Sequence, residues 1–172
     1  MERVDPPLQG AEREMLTAFL DYQRATIVKK AEGLTDEHAS VRSVEPSSLS
    51  IGAVVKHMAL VEAYWFNLRF LGESLGEPWD SAPFDQDRAW EFNSAHHDKL
   101  TDLVDLYEAA CTRSRGIVAA APSLDQVSKK TTPRDPRIVS LRWILIHMIE
   151  ETARHAGHAD LLREAIDGSS GL

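Results

Sequence analysis

Residues 151–164, "ETARHAGHADLLRE", put an acid and two histidines on one stretch with helical character. A helix turns about 100° per residue, so side chains four apart stand on one face. His147, Glu151 and His155 form such a line, and His158 follows three residues later. Two side chains at this spacing can share one ion. A carboxylate oxygen with imidazole nitrogens suits Zn²⁺, Ni²⁺ or Fe²⁺ better than Ca²⁺ or Mg²⁺. The bland alternative is an exposed Glu151/His155 pair worth a few tenths of a kcal/mol. A two-ligand site on one helix is incomplete, and a further ligand would have to come from another helix facing the interior. His57, in "GAVVKHMALVEAYWF", is the best candidate, because Val54, Met58 and Val61 flank it at helical spacing.

Four segments carry the periodicity of amphipathic helices, and no stretch alternates like a strand. They are expected at about Ala11–Glu32, from Pro46–Ser50 to Leu71, from Asp87 to Ala121, and from Val139 or Ser140 to just before Gly168. Ser47 or Ser48 is the expected cap of the second helix. The stripes are Leu16, Phe19, Leu20, Ile27 and Ala31 on the first, and Val54, Met58, Val61, Trp65 and Leu68 on the second. The connections "GESLGEPWDSAPFDQD" and "PSLDQVSKKTTPRDPR" are too rich in Gly and Pro to be helical. The pattern predicts an all-α four-helix bundle, one domain over residues 1–172, with long connections after the first and third helices. Trp79 and Phe84 are read as covering its core, and the adjacent His96 and His97 as surface residues.

A chain of 172 residues with net charge −8 and no Lys/Arg block is a poor match for a phosphate backbone, so no nucleic-acid partner is expected. No run of apolar residues is long enough to span a bilayer. The opening "MERVDPPLQGAEREM" has acids where a signal peptide needs a basic and then an apolar region. The single cysteine, Cys111, allows no internal disulfide and is read as a packed small hydrophobe. A cytoplasmic location is the expectation.

The segments "FLDYQRATIVKKAEGLTDE", "PSSLSIGAVVKHMALVEAYWF" and "SLRWILIHMIEETARHAGHADLLREAIDG" resemble the DinB-like superfamily, and within it the mini-circle protein group. The resemblance implies a four-helix bundle with a divalent metal between the second and fourth helices. It assigns the ligands to His57, Glu151 and His155. Many relatives have histidine where Glu151 stands and an "HRGQ"-like segment where this chain has "HAGH". The His/Glu/His set is similar to that of mycothiol-dependent maleylpyruvate isomerase. His158 stands where many relatives have glutamine. His158 and His147 are candidates to orient a ligand or a water, and Glu62 is a candidate acceptor for an imidazole proton.

Characterised relatives imply a metal-dependent transferase of a low-molecular-weight thiol, mycothiol or bacillithiol, or a thiol-dependent isomerase, acting on a small electrophile. Zn²⁺ is the first choice of ion, with Ni²⁺ and Fe²⁺ as alternatives. The rival expectation is a non-catalytic stress protein that binds a metal or a small molecule. No catalytic residue is assigned. Arg154 and Arg163 are helix-surface charges, either of which could meet an anionic substrate, and a homodimer is consistent with the pairing of bundles in relatives.

Overall fold

Two serines start the helices that carry the candidate ligands. Ser50 Oγ accepts from the Ala53 N–H, and Ser140 Oγ from the Trp143 N–H, both at 3.2 Å. Each satisfies a donor that the first turn leaves without an intrahelical partner. The computed structural model describes residues 1–133 and 135–171. Its long helices are α1 (Glu12–Ala31), α3 (Ile51–Glu62), α5 (Leu100–Ala120) and α6 (Leu141–Asp167). Two five-residue helices, α2 (Asp36–Ser40) and α4 (Trp90–Ser94), lie in the connections. This is an all-α, DinB-like four-helix bundle with no strand among the described residues. Nor is any helix among them long and apolar enough to cross a membrane. α1 packs mainly on α6, and α3 on α5.

Four expectations need correction. The cap of the second helix is Ser50, while Ser47 Oγ instead accepts from Leu49 N within the turn before it. α3 also changes character after Glu62, continuing as a π-helix over Ala63–Leu71. In the π-helix Phe66, Arg69 and Phe70 enter the interior and Leu68 is only half-buried; at the end of α3, Glu62 is buried and Val61 half-buried. Gly72, with φ 74°, ends the segment in the left-handed conformation that glycine adopts without steric cost. Phe19, placed on the inner stripe of the first helix by its spacing, is 44% exposed.

The fourth correction bears most on the site. The span Asp87–Ala121 is not one helix. α4 passes into a 3₁₀ turn at Ala95–His97, the chain extends through Asp98 and Lys99, and α5 starts afresh at Leu100. Side chains from elsewhere stabilise the break. Asp98 accepts from the buried Lys56 ammonium at 2.5 Å, and the Leu100 N–H donates to Asp36 Oδ1 at 2.8 Å. α4 is thereby a separate element, and it packs against α3.

The apolar interior has two lobes. One gathers Val54, Met58, Tyr107 and Cys111, and the other Phe66, Phe70, Leu141, Ile144 and Met148. Two buried arginines tie the scaffold together. Arg24 on α1 makes a bidentate pair with Glu62 on α3, at 2.8 and 2.7 Å, and both side chains are almost fully buried. Arg69 donates to the Lys130 and Arg137 carbonyls and to Asp135 Oδ2 at 2.9 Å, fastening the α5–α6 connection to the π-helix.

Removing one partner of a buried ion pair strands the other charge in a low-dielectric interior. The substitution Glu62→Ala should cost about 3–5 kcal/mol of stability. Arg142→Ala, which removes solvent-exposed pairs with Glu12 and Asp125, should cost far less. Urea denaturation of the two variants tests this; similar midpoints would contradict it.

Candidate metal centre

α3 and α6 run antiparallel along the site. His57 meets His155, and eight residues further along α3 Trp65 meets His147, eight residues earlier on α6. This arrangement puts His57 opposite the Glu151/His155 pair. Glu151 Oε1 lies 3.4 Å from His155 Nε2 and 3.9 Å from His57 Nε2. One ligand atom from each of the three lies within 4.8 Å of the other two. Ligand atoms held tetrahedrally at about 2.0–2.1 Å from an ion stand about 3.4 Å apart. Two imidazole nitrogens and a carboxylate oxygen at this separation can hold a divalent cation after small side-chain adjustments.

The surrounding groups orient these donors. The second oxygen of Glu151 accepts from Arg154 Nη1 at 2.9 Å, one helical turn away. Nδ1 of His57 lies 3.1 Å from Glu91 Oε1. Phe92 stacks on the same ring, with centroids 4.5 Å apart and planes 25° apart. His158 stands edge-on to His155, with centroids 5.1 Å apart. Nδ1 of each of these two histidines is buried without a hydrogen-bond partner among the described residues.

The charges follow from this geometry. Hydrogen bonds with His155 and His57 hold the Glu151 carboxyl far below the usual carboxylate range, more than offsetting its partial burial. Burial disfavours the His57 imidazolium, but its bonds to Glu151 and Glu91 outweigh that and raise its pKa above the ordinary value. Burial, followed by the charges of His155 and Arg154, lowers the pKa of His158. An ionised, half-buried carboxylate between two imidazoles is a ready acceptor for a cation.

The remaining candidates are dispersed. His147 lies against Trp143 and Trp65, with its Nδ1 3.7 Å from Glu150, and does not join the three. Glu62 does not serve His57, because both its oxygens are taken by Arg24 on the far side of α3. Glu91 occupies the role considered for Glu62. No periodicity announces it, since it lies 34 residues from His57 on a separate short helix. Its signal in the sequence is an acid between two aromatics, in "WEF". Arg163 pairs with Asp167 away from the site. Cys111 is fully buried, and burial pushes its thiol far up, out of reactive range.

A groove of about 760 Å³ opens beside His57. Leu60, Val61, Leu68 and Phe84 give it an apolar lining, and Tyr64 and Thr132 stand together in its wall, their hydroxyls 3.3 Å apart. Trp79, by contrast, is buried edge-on to Trp90 and covers the core. His96 and His97 are exposed.

No curated protein matches the chain significantly. Its fold is similar to that of a solved structure, described as the conserved protein of locus from Enterococcus faecalis, with a TM-score of 0.64 at 14% identity over 94% of this chain and 100% of that one. That likeness concerns the fold alone. The sequence pattern of the Mycothiol-S-transferase family matches residues 15–168, a span that includes His57, Glu91, Glu151 and His155. The chain therefore belongs to the mycothiol S-transferase family of DinB-like proteins.

Proposed function

We propose that this protein is an enzyme that transfers a low-molecular-weight thiol, mycothiol first, to a small electrophile, and that it holds a divalent cation through His57, Glu151 and His155. Zn²⁺ is the proposed ion. The observation that carries the reading is the convergence of three donors from two helices beside an open groove, in a chain of this family. Such an ion supplies Lewis acidity that lowers the pKa of a thiol. The chain's own residues do the rest. Arg154 fixes the carboxylate of Glu151, and Glu91 and Phe92 fix the ring of His57. The apolar lining at Leu60, Val61 and Phe84 receives the electrophile next to His57 and excludes water from it. Transfer forms one S–C bond, the bond from that carbon to its leaving group breaks, and the thiol proton passes to solvent.

Turnover of a model electrophile with mycothiol, and separately with bacillithiol, tests the proposal. Zn²⁺-loaded protein should form the thioether, and protein stripped by a chelator should recover activity when the ion is restored. Glu151→Ala should lower metal content and activity together, by tenfold or more, with an unchanged helical circular-dichroism spectrum. Stoichiometric binding of the electrophile with no product from either thiol would instead favour a non-catalytic binding protein.

A pH dependence follows from the raised pKa of His57. A cation must displace the His57 proton, so apparent affinity should rise with pH through that titration and level off above it. The stability that protonated His57 lends the ion-free protein has the opposite sign. It is complete below the ordinary value of 6.5 and is lost as pH rises through the raised folded value. Titrations with Zn²⁺ against a competing chelator, from about pH 5.5 to about pH 8, check the direction. Affinity independent of pH across that window would rule out His57 as a ligand.

A further inference from the structure

We propose that Glu91 is the positioning residue of this centre: by accepting the Nδ1 proton of His57 it fixes the tautomer that turns the Nε2 lone pair toward Glu151 and His155, and so sets how tightly a cation is held. This inference rests on the metal reading above. An imidazole that binds a metal through one nitrogen needs an acceptor for the proton on the other, and a carboxylate both orients the ring and strengthens it as a donor.

Three features single out Glu91. It is only 6% exposed, which is costly for an acid. Its Oε1 contacts His57 Nδ1 at 3.1 Å, and its Oε2 is buried without a partner among the described residues. The carboxylate is therefore committed to one imidazole. Among the described residues His155 has no equivalent support, since its Nδ1 is buried without a partner there. Of the two histidines, only His57 is oriented by an acid that is not itself a candidate ligand.

The element carrying Glu91 is anchored independently of it. The Lys56 ammonium donates to Ser94 Oγ at 2.8 Å and to Asp98 Oδ2 at 2.5 Å, and it sits 4.2 Å from the centroid of the Trp90 ring. Trp90 in turn packs edge-on against Trp79 and Phe84. Lys56 precedes His57 on α3, so the same turn of helix that presents the imidazole also clamps the segment that orients it. The interruption before α5 makes α4 a separate element.

The test compares Glu91→Gln, Glu91→Ala and His57→Ala in full-length protein, by titration with Co²⁺ against a chelator and by the visible absorption of the Co²⁺-saturated forms. Glu91→Ala should weaken Co²⁺ binding about 10–100-fold. Glu91→Gln keeps the shape and an acceptor oxygen, so it should fold normally and lose less affinity, with an altered absorption band. A merely structural role for Glu91 would leave the band of the saturated Gln variant unchanged. If both Glu91 variants bound Co²⁺ as tightly as wild type while His57→Ala lost binding, the proposal would be overturned and the metal centre would stand. Wild-type affinity in His57→Ala would remove the centre itself, and this proposal with it.

Discussion

The half-buried carboxylate of Glu151, held between two imidazoles, is the constraint that gives this bundle its chemistry. One of its oxygens faces His155 and His57, and the other is fixed by Arg154. Its bond to His57, together with that of Glu91, outweighs burial and raises the pKa of that imidazole. A divalent ion would set a more concentrated positive charge against the same carboxylate. The interaction can exist only if two antiparallel helices keep their register, because the donors come from positions almost a hundred residues apart.

Much of the remaining structure maintains that register. The Arg24–Glu62 pair links α1 to α3 immediately below the switch to π-helix. Arg69, one of the largest fully buried side chains, draws the α5–α6 connection onto the π-helical segment and sets Thr132 into the groove wall. Lys56 pins α4 across α3. These polar contacts fix direction where apolar packing alone would tolerate sliding. The groove beside His57 runs along the same junction, lined by half-buried Val61 at the end of α3 and Leu68 in the π-helix.

The helices themselves were legible in the sequence because apolar spacing and capping act within a few residues. Gly168 marked the end of α6, and the spacing from Glu151 to His155 placed both on one face. His57 was legible as an inward position, but its meeting with the α6 pair was implied by the family resemblance and not by periodicity. Glu91 and the break before α5 were not legible. Both depend on Lys56–Asp98 and Asp36–Leu100, contacts between residues 42 and 64 positions apart that leave no local pattern. The same holds for Glu62, whose helical position suggested a role beside His57 until its partner, Arg24 on another helix, was known.

The central claim is that His57, Glu151 and His155 bind one cation. Anomalous diffraction at the zinc edge, from crystals of the protein loaded with Zn²⁺, tests it most directly. A single strong peak is expected within bonding distance of both Nε2 atoms and the Glu151 carboxylate. A peak elsewhere, or these three side chains turned apart with none between them, would contradict it.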